Sequence, residues 1–183
     1  MQKIIAMTAV VTMALLAARN ADAQTRHRQQ PKEVEHPAPP VPLDKRDSVV
    51  TAAGAFAGKP YWLGLAQCGG IYFKLNLLYT DIAVRARAVK PDPKLNAEYT
   101  KKLNEAIRTA TVYFGGAEHF LMTERGLERI DAVLFYDEQS RAAGDRIKTI
   151  DSALTAAQAC PALYQACQQA NSKMCSEPLS PLS

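Results

Sequence analysis

The stretch Lys94–Arg125 reads KLNAEYTKKLNEAIRTATVYFGGAEHFLMTER. In it Tyr99, Leu103, Ala106, Ala110, Tyr113, Ala117 and Phe120 recur at steps of three and four, which is the period of one helix face. No run of alternating apolar and polar residues in the chain is long enough to argue for a sheet. An all-α fold follows. Gly115-Gly116 interrupts the stripe at a cost on the order of 2 kcal/mol relative to alanine, which points to a kink or to close approach of a neighbouring helix. Gly126 fits a C-terminal cap.

Upstream, Tyr61–Val89 is expected to be helical, with Trp62, Leu65, Gly69, Tyr72, Phe73, Leu77 and Ile82 on a broad apolar face. Its centre is apolar enough to raise a membrane question. Gln67, Lys74, Asn76 and Asp81 within it argue instead for a core helix. Pro91-Asp92-Pro93 forces a turn before the next element. A shorter first helix is expected from Asp47 or Ser48, either of which can cap it, through Val49, Val50, Ala53, Phe56 and Ala57. Gly58 and Lys59-Pro60 would end it. Gly54 and Gly58 on that helix would permit close helix packing.

Downstream, a fourth helix is expected over residues 127–159, with Ile130, Val133, Leu134, Gly144, Ile147, Ile150 and Leu154 as its inner face. Asp137–Arg141, Asp145–Lys148 and Lys148–Asp151 have the spacing of salt bridges on a solvent face. Pro161 starts a short fifth helix to about Asn171. The predicted architecture is an antiparallel bundle of four main helices plus a short C-terminal helix, over residues 44–176, followed by a tail at 177–183.

The N-terminus is a different material. Met1–Ala23 has Lys3, an apolar run from Ile4 to about Ala18, and Ala21-Asp22-Ala23 before a cut at Gln24, the pattern of a cleavable export signal. Residues 24–43 hold Pro31, Pro37, Pro39, Pro40 and Pro42 among charged residues, a leader expected to be flexible or extended. Export makes the periplasm or the exterior the expected address. No transmembrane helix is expected after cleavage.

In that compartment Cys68, Cys160, Cys167 and Cys175 are expected as disulfides. Cys160 and Cys167 would lie about 10.5 Å apart along one helix axis, beyond the roughly 7 Å limit for a bridge. A 160–175 bridge would need the chain to return along the whole short helix. The expected pairing is therefore Cys68–Cys160 with Cys167–Cys175, a staple and a tail clasp. The spacings fit neither zinc knuckles nor haem attachment.

The formal charge is +4, and cleavage of Lys3, Arg19 and Asp22 with the signal makes it +3. No concentrated basic stripe suggests nucleic acid. Arg85, Arg87, Lys90, Lys94, Lys101 and Lys102 gather around one turn and could face an anionic partner. His119, beside Glu118, is the one histidine of the helical region. The chain holds no nucleophile elbow, metalloprotease motif, P-loop or dinucleotide fingerprint. No catalytic residue, cofactor or metal is therefore assigned. The function expected is an exported helical interaction module whose partner is another envelope protein: an envelope or secretion-system accessory, or a toxin-neutralising partner. A carrier with a pocket lined by Trp62, Tyr72, Tyr113 and Phe120 is the alternative. An enzyme using His119 and Glu118 is a second.

Overall fold

Asp92 and Gly126 frame the longest element. In the computed structural model, Asp92 Oδ1 accepts from the backbone N–H groups of Lys94 and Leu95 at 2.9 and 3.2 Å, and Pro93 occupies the first turn. Gly126 closes the helix with φ 68°, a conformation that glycine adopts without a Cβ penalty. The structure describes residues 43–89 and 92–176. The expected signal at 1–23, the expected leader up to residue 42, Lys90 and the expected tail at 177–183 lie outside them.

Among the described residues there are five helices: α1 (Tyr61–Val89), α2 (Pro93–Arg125), α3 (Arg129–Asp145), α4 (Ile150–Ala157) and α5 (Cys160–Ala170). α1 is central and packs against each of the others. Its partners on α2 run in opposing order: Tyr61 stacks on Phe120 at 5.5 Å between ring centroids, Tyr72 on Tyr113 at 5.5 Å, and Tyr79 tilts against Tyr99 at 6.4 Å. Asn76 Nδ2 donates to Leu103 O at 2.9 Å along the same line. Such ring pairs add to the burial of their surface. α5 joins through Tyr164, edge-on to Tyr113.

Two adjacent glycines of α1 set how closely its neighbours approach. A Cβ on Gly69 would meet the Phe114 ring of α2 at 2.3 Å, and one on Gly70 would lie 2.0 Å from the Ser140 carbonyl oxygen of α3. Phe114 in turn stacks on Tyr136 at 5.4 Å. α2 runs unbroken through Gly115 and Gly116. Gly116 is one of the close approaches, 3.1 Å from Leu65 Cδ1 to a built Cβ, whereas Gly115 faces open space.

Both cysteine pairs are at disulfide geometry. Cys68–Cys160 has Cα atoms 5.7 Å apart and Cys167–Cys175 has them 5.9 Å apart. Closing the longer loop is worth about 4.5 kcal/mol in the chain-entropy account, and the shorter about 2.5 kcal/mol. The bridges point to an oxidising, non-cytoplasmic compartment. No helix among the described residues is long and apolar enough to cross a membrane.

Two expected elements differ. The predicted first helix is absent, because its backbone groups pair across a loop. Val50 N donates to Lys59 O, Gly58 N to Val50 O, and Tyr61 N to Ser48 O, with a bridge between Val49 and Pro60. Gly54 and Gly58 take φ 136° and 73°, so they shape this loop and do not line a helix contact. Phe56 is buried at its tip against the α1–α5 junction. The predicted fourth helix is two. Thr149 is extended and exchanges capping bonds with Ser152, a capping box that starts α4 and ends the run from α3.

Candidate functional site

Large apolar side chains face out on more than one helix: Phe73 and Leu77 of α1, expected on its apolar face, are exposed, and a more exposed pair lies on α3. Its buried positions are Ala132, Tyr136, Gln139, Ser140, Ala143 and Gly144, small or polar except for one tyrosine. Its larger aliphatics face out: Ile130 is 72 % exposed and Leu134 66 %. The expected inner face is thus reversed for these two residues, and Leu154 on α4 is also exposed. The physical reason is the glycine notch. α3 meets α1 with backbone against backbone at Gly70, Ser140 and Gly144, and large aliphatic side chains on that face would hold the helices apart. Ile130 and Leu134, one turn apart, form a ridge of their own.

A buried ion pair fixes the base of this ridge. Arg125, the last residue of α2, donates from Nη2 to Asp47 Oδ2 at 2.5 Å and from Nε to Oδ1 at 2.8 Å. The two side chains are 8 % and 1 % exposed. The guanidinium lies over the rings of Trp62 and Phe135, 5.1 and 4.9 Å from their centroids, and the two rings meet edge-on at 5.2 Å. Phe135 is the neighbour of Leu134, so α1, α2, α3 and the entry segment meet here. Burial works against ionisation of Asp47, but the hydrogen bonds and charge of Arg125 and the Asp44 N–H hold its carboxyl below the ordinary value. The Trp62 indole N–H adds to that lowering without completing a hydrogen bond of normal geometry. Glu124 Oε2 accepts from Ser48 N at 3.0 Å, and Arg46 Nη1 donates to Arg125 O at 3.1 Å.

Charges of both signs border the ridge, and two of its carboxylates stand outside the ion pairs. Arg129 is held by Glu118 at 2.8 Å and Arg141 by Asp137. Asp131 and Glu138 stand seven residues apart on one row of the helix. The ion pairs among the described residues include neither.

Three of the six residues of the basic stretch are paired with carboxylates. Arg85 pairs with Asp81 at 2.8 Å, Lys102 with Glu98 at 2.7 Å and Lys101 with Glu105 at 3.8 Å. Arg87 donates to Asn96 and Lys94 is exposed. His119 is exposed, while Glu118 is engaged by Arg129, so the structure does not join them into an acid–base pair. Trp62, Tyr72, Tyr113 and Phe120 are all buried, and protein rings stack on or pack edge-on against each of them. Among the described residues no group of three or more His, Cys, Asp or Glu is placed to hold a metal ion. The Asp137–Arg141 pair forms as its spacing predicts, whereas Lys148 Nζ donates to the Asp145 carbonyl oxygen at 2.6 Å. Comparison with protein-family models, with curated proteins and with solved structures gives no match to this chain.

Ile130 and Leu134 sit at the same helical spacing as an inner face, so periodicity alone does not reveal the ridge. The signal that could have found it is the run Ala142-Ala143-Gly144 with Ala132, a second face made of small residues.

Proposed function

We propose that the protein is an exported helical interaction module, cleaved after Ala23, that works in the periplasm or outside the cell as a partner of another envelope protein. In this reading its helices form an antiparallel bundle, stapled by Cys68–Cys160, and the turned-out ridge of α3 is the contact surface. One observation carries it: Ile130 and Leu134 stand exposed side by side on a helix whose packing face is small and polar. Soluble surfaces expose single apolar residues routinely, but an exposed row beside a rigid base is the form of an interaction site. The two disulfides and the opposing ring pairs of α1 and α2 support a rigid body suited to presenting it.

The test is a comparison of two baits. The mature protein and its Ile130→Asp/Leu134→Asp variant are each offered envelope extract, and bound proteins are identified by mass spectrometry. A partner retained by the first and lost by the second is expected. Equal retention, or no specific partner, would count against the reading.

A further inference from the structure

We propose that the outer face of α3 takes a cationic amphipathic helix of another protein. Ile130 and Leu134 receive its apolar side, and Asp131 and Glu138 its lysines or arginines. This rests on the reading of α3 as the contact surface and adds the chemistry of the partner.

The charge of α3 carries the assignment. Its sequence holds two arginines, Arg129 and Arg141, against four carboxylates, Asp131, Asp137, Glu138 and Asp145. Both arginines are already committed to carboxylates, Arg129 to Glu118 and Arg141 to Asp137. Lys148 and Arg146, at the far end of the helix from Asp131, lie against the carbonyls of Asp145 and Ala142. Asp131 and Glu138 therefore present uncompensated charge beside the ridge, about 10 Å apart along the helix axis. A partner helix with lysines at the same seven-residue spacing would meet both while its apolar row lies on Ile130 and Leu134.

The same charges argue against two other occupants. A second copy of this chain docking through α3 would bring two acidic rows together. An anionic bilayer would repel the row. Two exposed aliphatics and two carboxylates make a small contact, so binding is expected in the micromolar range, with fast exchange and strong dependence on salt.

The probe is a fourteen-residue helix of leucine and lysine, titrated by fluorescence anisotropy into the disulfide-bonded protein at low and high salt. Methyl resonances of Ile130 and Leu134 report the site. Binding is expected with shifts at those methyls, with Kd raised about tenfold for Asp131→Asn/Glu138→Gln and binding lost for Ile130→Ser/Leu134→Ser. A leucine and glutamate helix is expected not to bind. Equal binding by the Asp131→Asn/Glu138→Gln protein would overturn the proposal. So would a dimer that Leu134→Ser dissolves, or capture by phosphatidylglycerol vesicles that the same variant abolishes. The extract test separates the two levels. A partner lost with Ile130→Asp/Leu134→Asp but kept by Asp131→Asn/Glu138→Gln overturns the cationic assignment and leaves the interaction module standing. A partner kept by both overturns both.

Discussion

Asp47 and Arg125, 78 residues apart in sequence, share two hydrogen bonds in a site closed over by Trp62 and Phe135. The pair ties the irregular entry segment to the end of α2, at the point where α3 departs. Removing one member leaves the other buried and charged, at a cost of about 3 kcal/mol. Asp47→Ala is expected to lose that much in urea unfolding. Asp47→Leu/Arg125→Met, which leaves no charge behind, is expected to recover most of it.

The same pair sets an acid limit. The folded carboxyl of Asp47 is held below its ordinary value of 3.8, so below that value the unfolded state takes up the proton first. The stability contributed by Asp47 is complete above pH 3.8 and is lost as pH falls further. Unfolding free energy measured from pH 5 downward is expected to fall more steeply for the wild type than for Asp47→Asn. Parallel curves would show that other carboxyls govern acid unfolding.

The glycine notch gives a contrast within one chain. Gly70→Ala places a methyl against the Ser140 carbonyl, which can yield only by moving α3. A loss of about 3 kcal/mol is expected. Gly115→Ala meets open space on an exposed helical face and is expected to stabilise by about 0.5–1 kcal/mol. Thermal unfolding of the two variants checks both signs.

Tyr113 has a hydroxyl that is buried without a hydrogen-bond partner. Burial, together with Tyr72 and Tyr164, raises its pKa far above the ordinary 10.0. Tyr72 is raised by burial alone. Stability is therefore unaffected by these groups below pH 10.0 and is lost above it, where the unfolded chain ionises first. Tyr113→Phe is expected to be neutral or to stabilise by about 1 kcal/mol, and to unfold at higher pH than the wild type. A loss above 2 kcal/mol would contradict the unpartnered hydroxyl.

Much of the core was legible because it rests on period and reach. The α1 span, the α2 stripe with its Gly126 cap, and both cysteine pairings follow from helical spacing and chain length. The loop at residues 48–60 was not legible, since Val49, Val50, Ala53 and Phe56 mimic a helix stripe while Gly54 and Gly58 need left-handed backbone. The break at Thr149 was hidden in an apolar series that ran through Ile147, Ile150 and Leu154. The α3 ridge was hidden for a deeper reason. Periodicity finds an apolar face but does not say whether the other face, made of Ala132, Ser140, Ala143 and Gly144, packs more closely.

A partner seated on the outer face of α3 would touch position 134 first. A photo-crosslinking residue is placed at Leu134 in the full-length protein expressed in its own cells, with Thr111, exposed on α2, as the control position. One specific adduct from 134 and none from 111 is the expected result. No adduct from 134, or the same adduct from both positions, would contradict the account.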